Sequence, residues 1–303
     1  MFFESYPDST GRAAGASFGE MVAILLKGVF GLFGLLFLLH AGVGYVELGT
    51  DSWISKLAED LVGDLGGFGG TVVLAYASLL MCVLRWKSDI FVNIVGENPL
   101  LLLAVAANVT ALGLFSVSMA STVLTIFAAI TIFGLGKAFL WPTMLSAGGQ
   151  LYPRAGSLVV NALGAAGMLC AGVIAGPVFG YLIDGTASQR LTEANEVLAA
   201  KYVNVDATDL PLLPPVSGID TEEWAKISEL VKEEGANVSD LIREEYATVN
   251  KARIAGSQKS LNFAAMIAVL MNLGYLAALV RVHQCGGWEK YVALISGTGA
   301  TRS

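Results

Sequence analysis

Two groups of polar residues interrupt otherwise apolar sequence, and both have side chains that could bind a solute or move a proton. The first is His40-Ala-Gly-Val-Gly-Tyr-Val-Glu47-Leu-Gly-Thr-Asp51-Ser-Trp53. An α-helix advances about 100° per residue, so His40, Gly44, Glu47 and Asp51 share one helix face. Gly44 leaves a gap in that polar stripe, wide enough for a ligand or a neighbouring backbone. Charge at membrane depth is costly and usually faces a cavity or a partner. The stripe therefore reads as one wall of a hydrated path in which Glu47 or Asp51 exchanges a proton. The alternative is that the helix leaves the membrane near Glu47, with both carboxylates in water. Trp53 lies on another face and suits an interfacial anchor.

The second group is Gly134-Leu-Gly-Lys137-Ala-Phe-Leu-Trp141-Pro142. Lys137 sits mid-span with Trp141 one turn on. It could pair with Glu47, bind an anion, or hydrogen-bond sugar hydroxyls; the alternative is snorkelling towards the interface. Pro142 removes a backbone donor and bends a helix, which suits a gate or a substrate site. The string is not a phosphate loop, because Thr131 stands where glycine is needed and Ala138 follows the lysine. Asn161 and Asn272 either contact solute or cross-link helices. No HExxH or GxSxG motif is present, and the two histidines, His40 and His283, are far apart. Nothing here reads as an enzyme, and no metal or cofactor is implied.

These residues need a scaffold that holds them inside lipid. Of 303 residues, 55% are hydrophobic and 14% charged, far from the roughly 45–50% and 25% of soluble domains. Mean hydropathy is +0.66. The net charge of −7, with no basic cluster, argues against nucleic acid as the partner. The cysteines at 82, 170 and 285 are too scattered for a disulfide framework; Cys82 and Cys170 read as inert buried thiols. A span needs about 20 apolar residues. Such stretches predict an all-α protein with helices over 28–46, 65–84, 98–117, 121–146, 155–183 and 260–280. Ser116 to Ser121 is the turn that splits the long 98–136 run. In the fifth helix Gly172, Gly176 and Gly180 have the spacing of a close helix contact.

Six spans put both ends on one side. Short segments on that side carry Arg12, Lys27, Arg85, Lys87, Arg154, Arg281, Lys290 and Arg302, against Lys56 in the loop 51–68. The excess of positive charge predicts that side to be cytosolic, in an inner membrane crossed several times. The division is then a cytosolic tail 1–20, helices over 21–184, an extracytoplasmic loop 185–260, a last helix over 261–283 and a tail 284–303. Ser17 with Glu20, and Asp220 with Glu223, are capping-box patterns. After the second, Trp224, Ile227, Leu230 and Val231 form an apolar stripe. One or two amphipathic helices over the mouth are expected there, or else a partly ordered solvated insertion. Pro211-Leu-Leu-Pro-Pro215 reads as a stiff linker between the halves of the loop.

Four stretches resemble the second half of a major facilitator superfamily transporter of a sugar-porter-like bacterial subgroup. They are Glu47-Leu-Gly-Thr-Asp-Ser-Trp-Ile54, Gly136-Lys-Ala-Phe-Leu-Trp-Pro-Thr-Met144, Tyr152-Pro-Arg-Ala-Gly156 and Gly286-Gly-Trp-Glu-Lys-Tyr291. The resemblance implies a six-helix half built of two three-helix repeats, with residues 7–20 ending a central cytosolic loop. It implies that Glu47, Thr50, Asp51, Trp53, Lys137 and Trp141 line a cavity; His40 and Asn161 join them from the reading of the residues. It implies secondary transport of a small polar solute, a sugar or related metabolite, with proton coupling as one option. One half has one wall of the cavity, so a separate first half, a second copy, or a truncated gene product is the corresponding expectation. The rival reading is a membrane scaffold, sensor or inactive fragment whose large loop does the binding.

Overall fold

The computed structural model describes residues 16–63, 65, 69–96, 98–208, 210 and 213–297. The tail 1–15, with Arg12, and the end 298–303, with Arg302, lie outside the described residues, as do Pro211 and Leu212.

Helix α1 (Phe18–Gly28) begins at the Ser17 cap. The Ser17 N–H and hydroxyl both donate to Glu20, at 2.7 and 3.0 Å, and the Glu20 N–H donates back to Ser17 Oγ. The long apolar rods follow: α2 (Leu32–Val62), α3 (Thr71–Trp86) with α4 (Ser88–Val95), α5 (Pro99–Ser118), α6 (Val123–Leu151), α7 (Ser157–Ala194) and α10 (Asp240–Gln284). Five are long and apolar enough to cross a membrane, or six if the pair α3 and α4, bent by 65°, is one span. The chain is thus a helical, multi-pass membrane protein. The turn expected at 116–121 is present: α5 stops at Ser118, and Thr122 caps α6 through a reciprocal bond with Thr125.

Sequence periodicity did not show two features of these rods. α2 runs sixteen residues beyond Val46, so most of the loop expected over 51–68 is helix. α2 and α7 also each contain a wide π turn, Tyr45–Gly49 and Cys170–Ala175, and the two turns pack on each other. Gly44 sits against the Gly167 backbone so closely that a Cβ would collide with it. The gap in the stripe is filled by a neighbouring helix. By contrast, Gly172 has open space around it, and Gly176 and Gly180 face the Trp53 ring. The close contact predicted for those three is made by Gly167 instead.

One continuous core of Leu, Ile, Phe and Ala side chains joins α2, α3, α5, α6, α7 and α10. At one end α1 packs on the 3-10 turn Pro153–Ala155, and Tyr152 meets Phe33 edge-on at 5.9 Å. Trp288 of α11 (Trp288–Ser296) donates to Gln150 at the same end, at 2.9 Å. Gly286 and Gly287, with φ of 84° and 112°, make the turn from α10 into α11, a conformation side chains resist.

At the other end the 185–260 segment forms a small body with its own core. The ends of α7 and α10, α8 (Glu196–Tyr202) and α9 (Thr221–Glu234) enclose Leu191, Tyr202, Ile227 and Val249. Asp220 caps α9 by accepting from the N–H groups of Glu222 and Glu223, and Ile227 is buried with Trp224 and Val231 beside it. An antiparallel hairpin of β1 (Val203–Thr208) and β2 (Val216–Ile219) corrects the expectation of helix alone. The predicted Pro-rich linker falls in the connection between those two strands.

Candidate functional site

Glu47, Asp51, Arg85 and Lys137 come from three rods and form two ion pairs within the bundle. Lys137, wholly buried on α6, donates to Asp51 of α2. Its ammonium also lies 4.7 Å from the Phe133 ring centroid. Glu47, 2% exposed, accepts from Arg85 of α3 at 2.7 Å. The expected partnership of Lys137 with Glu47 is therefore replaced by two pairs: Lys137 with Asp51, and Arg85 with Glu47. Lys137 does not snorkel, and the buried Glu47 is not in outer water. Two positive and two negative groups cancel, which is how charge is tolerated at this depth.

Arg85 was not expected here, because it follows the last apolar residue of its run and reads as a loop charge. What places it is Pro142. A proline has no N–H and leaves the carbonyl four residues earlier without its helical donor; that carbonyl belongs to Ala138. Arg85 Nε donates to Ala138 O at 3.0 Å. One guanidinium thus satisfies the carbonyl bared by Pro142 and holds Glu47. α6 remains one helix through Pro142.

The remaining candidates divide. His40 is fully buried and meets Trp141 edge-on at 4.6 Å, so both ends of the predicted α2 stripe face α6. Thr50 is buried, and its hydroxyl donates to Tyr45 O at 3.5 Å, closing the π turn. Trp53 stacks on Phe179 with centroids 6.1 Å apart; it is a packing residue at the α7 glycines. Asn161 is exposed on α7, apart from the ion pairs. Buried polar atoms without a protein partner, among the described residues, include Glu47 Oε2, both His40 nitrogens, Tyr45 Oη, Asn272 Oδ1 and Tyr275 Oη. Asn272 thus makes no cross-link through its carbonyl oxygen. Cys170 is buried as expected, but Cys82 is exposed. Among the described residues no group of His, Cys, Asp and Glu could hold a metal ion.

Beside this core a cavity of about 360 Å³ runs along α6 between the bent α3–α4 pair and the start of α5. Arg85 and Gln150 both line it; Gln150 lies twelve residues along α6 from Ala138, the residue Arg85 contacts, or roughly 18 Å at 1.5 Å per residue.

A second charged cluster lies where the 185–260 body meets the rods. Asp60 of α2 accepts from Lys56 and Arg253 at 2.7 Å and from Ser257 at 2.8 Å. The Arg253 guanidinium carbon lies 4.3 Å from the Trp224 ring centroid, and Trp224 stacks on Tyr246 at 5.1 Å.

No protein-family model, curated protein or solved structure matches the chain.

Proposed function

We propose that the chain is a transport half of the major facilitator type, moving a small polar solute through a path between α2, α3 and α6. The observation that carries this reading is the buried pair of ion pairs with an unpartnered oxygen on Glu47 and an unpartnered His40 two turns earlier on α2. A purely structural membrane core has little use for such groups, because each unpaired polar atom costs on the order of 1–3 kcal/mol. Sites that handle solute or protons retain them for exchange. The two π turns support the same reading, since these features recur at functional positions in helices. Six spans of alternating direction, cytosolic ends and an extracytoplasmic 185–260 body complete the proposed topology. A second half, from a partner or another copy, supplies the facing wall.

The test begins with purified protein in detergent, whose stoichiometry shows whether copies associate. Reconstituted vesicles are then screened for solute uptake. Lys137→Ala and Glu47→Gln are expected to abolish uptake while the protein still elutes as a folded species. Normal uptake in both variants overturns the assignment of these residues.

The separate core of the 185–260 body favours a second reading, in which that body binds a partner and the rods anchor it. Binding activity that persists in Lys137→Ala, with no solute flux in the parent, would select it.

A further inference from the structure

Arg85 has five N–H groups, and the structure accounts for two. Nε binds Ala138 O and one Nη2 hydrogen binds Glu47. Among the described residues the others find no protein acceptor. Both filled positions hold the guanidinium from the protein side, and the side chain remains 39% exposed where it lines the 360 Å³ cavity. Among the described residues lining that cavity Arg85 is the only one that carries a charge.

The rest of the wall has a definite chemistry. Thr143, Ser146 and Gln150 recur along one face of α6, and Ser88 approaches from the bend between α3 and α4. Ser146 and Gln150 are already engaged, Gln150 donating to Ser146 Oγ at 3.2 Å and accepting from Trp288. The hydroxyls of Ser88 and Thr143 have no hydrogen bond within the described chain. The cavity therefore offers a cation with a free donor edge, then two free hydroxyls. A guanidinium edge matches the two oxygens of a carboxylate or phosphate, and such bidentate, charge-assisted bonds are the strong ones. A neutral sugar would leave the free Arg85 donors facing hydroxyl oxygens only.

We infer that this cavity is an oxyanion site: it takes a small organic anion whose carboxylate or phosphate group docks on Arg85 and whose hydroxyls reach Ser88 and Thr143. The inference rests on the transport reading only for what happens to the anion afterwards. It narrows the expected solute from a sugar to an acid or phosphate ester. The same oxyanion chemistry could come from a free solute or from an anionic lipid headgroup.

The test uses the whole protein, purified in neutral detergent, with D-gluconate and inorganic phosphate as probes and D-glucose as the neutral control. Thermal unfolding is followed for the parent, Arg85→Lys and Thr143→Glu. Arg85→Lys keeps the charge for Glu47 but loses the planar fork; Thr143→Glu sets a carboxylate in the cavity and leaves both inner bonds of Arg85 alone. A ligand that binds the folded state raises its melting point. The expected result is stabilisation of the parent by an anion and not by glucose, affinity at least about tenfold weaker in Arg85→Lys, and no response in Thr143→Glu. An equal shift in all three proteins, or stabilisation by glucose alone, overturns the site.

A lipid arm compares nanodiscs of phosphatidylglycerol and phosphatidylcholine. Stabilisation by the former that Thr143→Glu abolishes, without a response to soluble anions, upholds the oxyanion site and assigns it to lipid. Vesicle uptake separates the two proposals. Anion binding without flux upholds the site and overturns the transport reading. Flux of glucose without anion binding upholds transport and overturns the site.

Discussion

Among the described residues buried charge occurs in two places, and they are built to different standards. At the 185–260 body Asp60 is partnered on both oxygens: Arg253 donates to one, Lys56 and Ser257 to the other. Arg253 in turn lies over Trp224. In the middle of the rods Glu47 has a partner on one oxygen only, and His40 has none on either nitrogen. A network with a partner on every carboxylate oxygen ties elements together. An unsaturated one must be held in place by its surroundings, and it keeps valences open for something that comes and goes. Asp60 thus ties α2 to α10, whereas Glu47 and His40 keep hydrogen-bonding atoms that no protein group uses.

That contrast predicts an order of stability effects. The largest belongs to Asp60→Ala, which strips a buried carboxylate from two cations. Losing one partner of a buried ion pair costs about 3–5 kcal/mol, to be seen as a lower unfolding midpoint in detergent. A change under about 1 kcal/mol would show that the cluster is not structural. Next is Trp224→Leu, which keeps apolar bulk but removes the π face under Arg253. A loss of about 0.5–2 kcal/mol is expected, and combined with Arg253→Met the two losses should fall short of additivity.

Glu47→Gln should cost less, about 1 kcal/mol or below. An amide oxygen still accepts from Arg85, and no unpaired negative charge stays buried. A destabilisation as large as that of Asp60→Ala would erase the distinction between the two regions. The smallest effect concerns the tie inside the 185–260 body, where Lys201 and Tyr202 both donate to Glu245, at 2.6 and 2.5 Å. The hydrogen bond to Glu245 raises the Lys201 pKa above its ordinary 10.5. Burial, with the same carboxylate, pushes Tyr202 from 10.0 to about 12. Raised values mean that this stability is complete below the unfolded pKa and fades as pH climbs through the folded one. Trp224 fluorescence should thus report loosening between pH 10.0 and about 12, and Tyr202→Phe should weaken that step.

The sequence revealed the apolar rods because a span has to satisfy its backbone internally, and that demand writes long uncharged runs. It revealed the caps at Ser17 and Asp220 because a cap is a local bond between residues three apart. Lys137 and Glu47 were legible as costly residues in the wrong solvent. Their partners were not, because pairing depends on how rods lean on one another. Arg85 is the clearest case. It ends an apolar run like any loop residue, and only a proline fifty-seven positions later explains its place. The π turns escaped because a single wide turn leaves the surrounding periodicity almost unchanged. The hairpin escaped because strands of six and four residues are too short to write a clear alternation into the sequence.

The bond from Arg85 to the carbonyl of Ala138 has a consequence for how this chain can vary. Pro142 bares that oxygen, Arg85 covers it, and Glu47 balances the charge that the cover brings. A descendant with an amide at position 142 loses its need for an arginine at 85, and without the arginine an acid at 47 becomes a burden. Inheritance should therefore treat these three sites as one character, kept or discarded together.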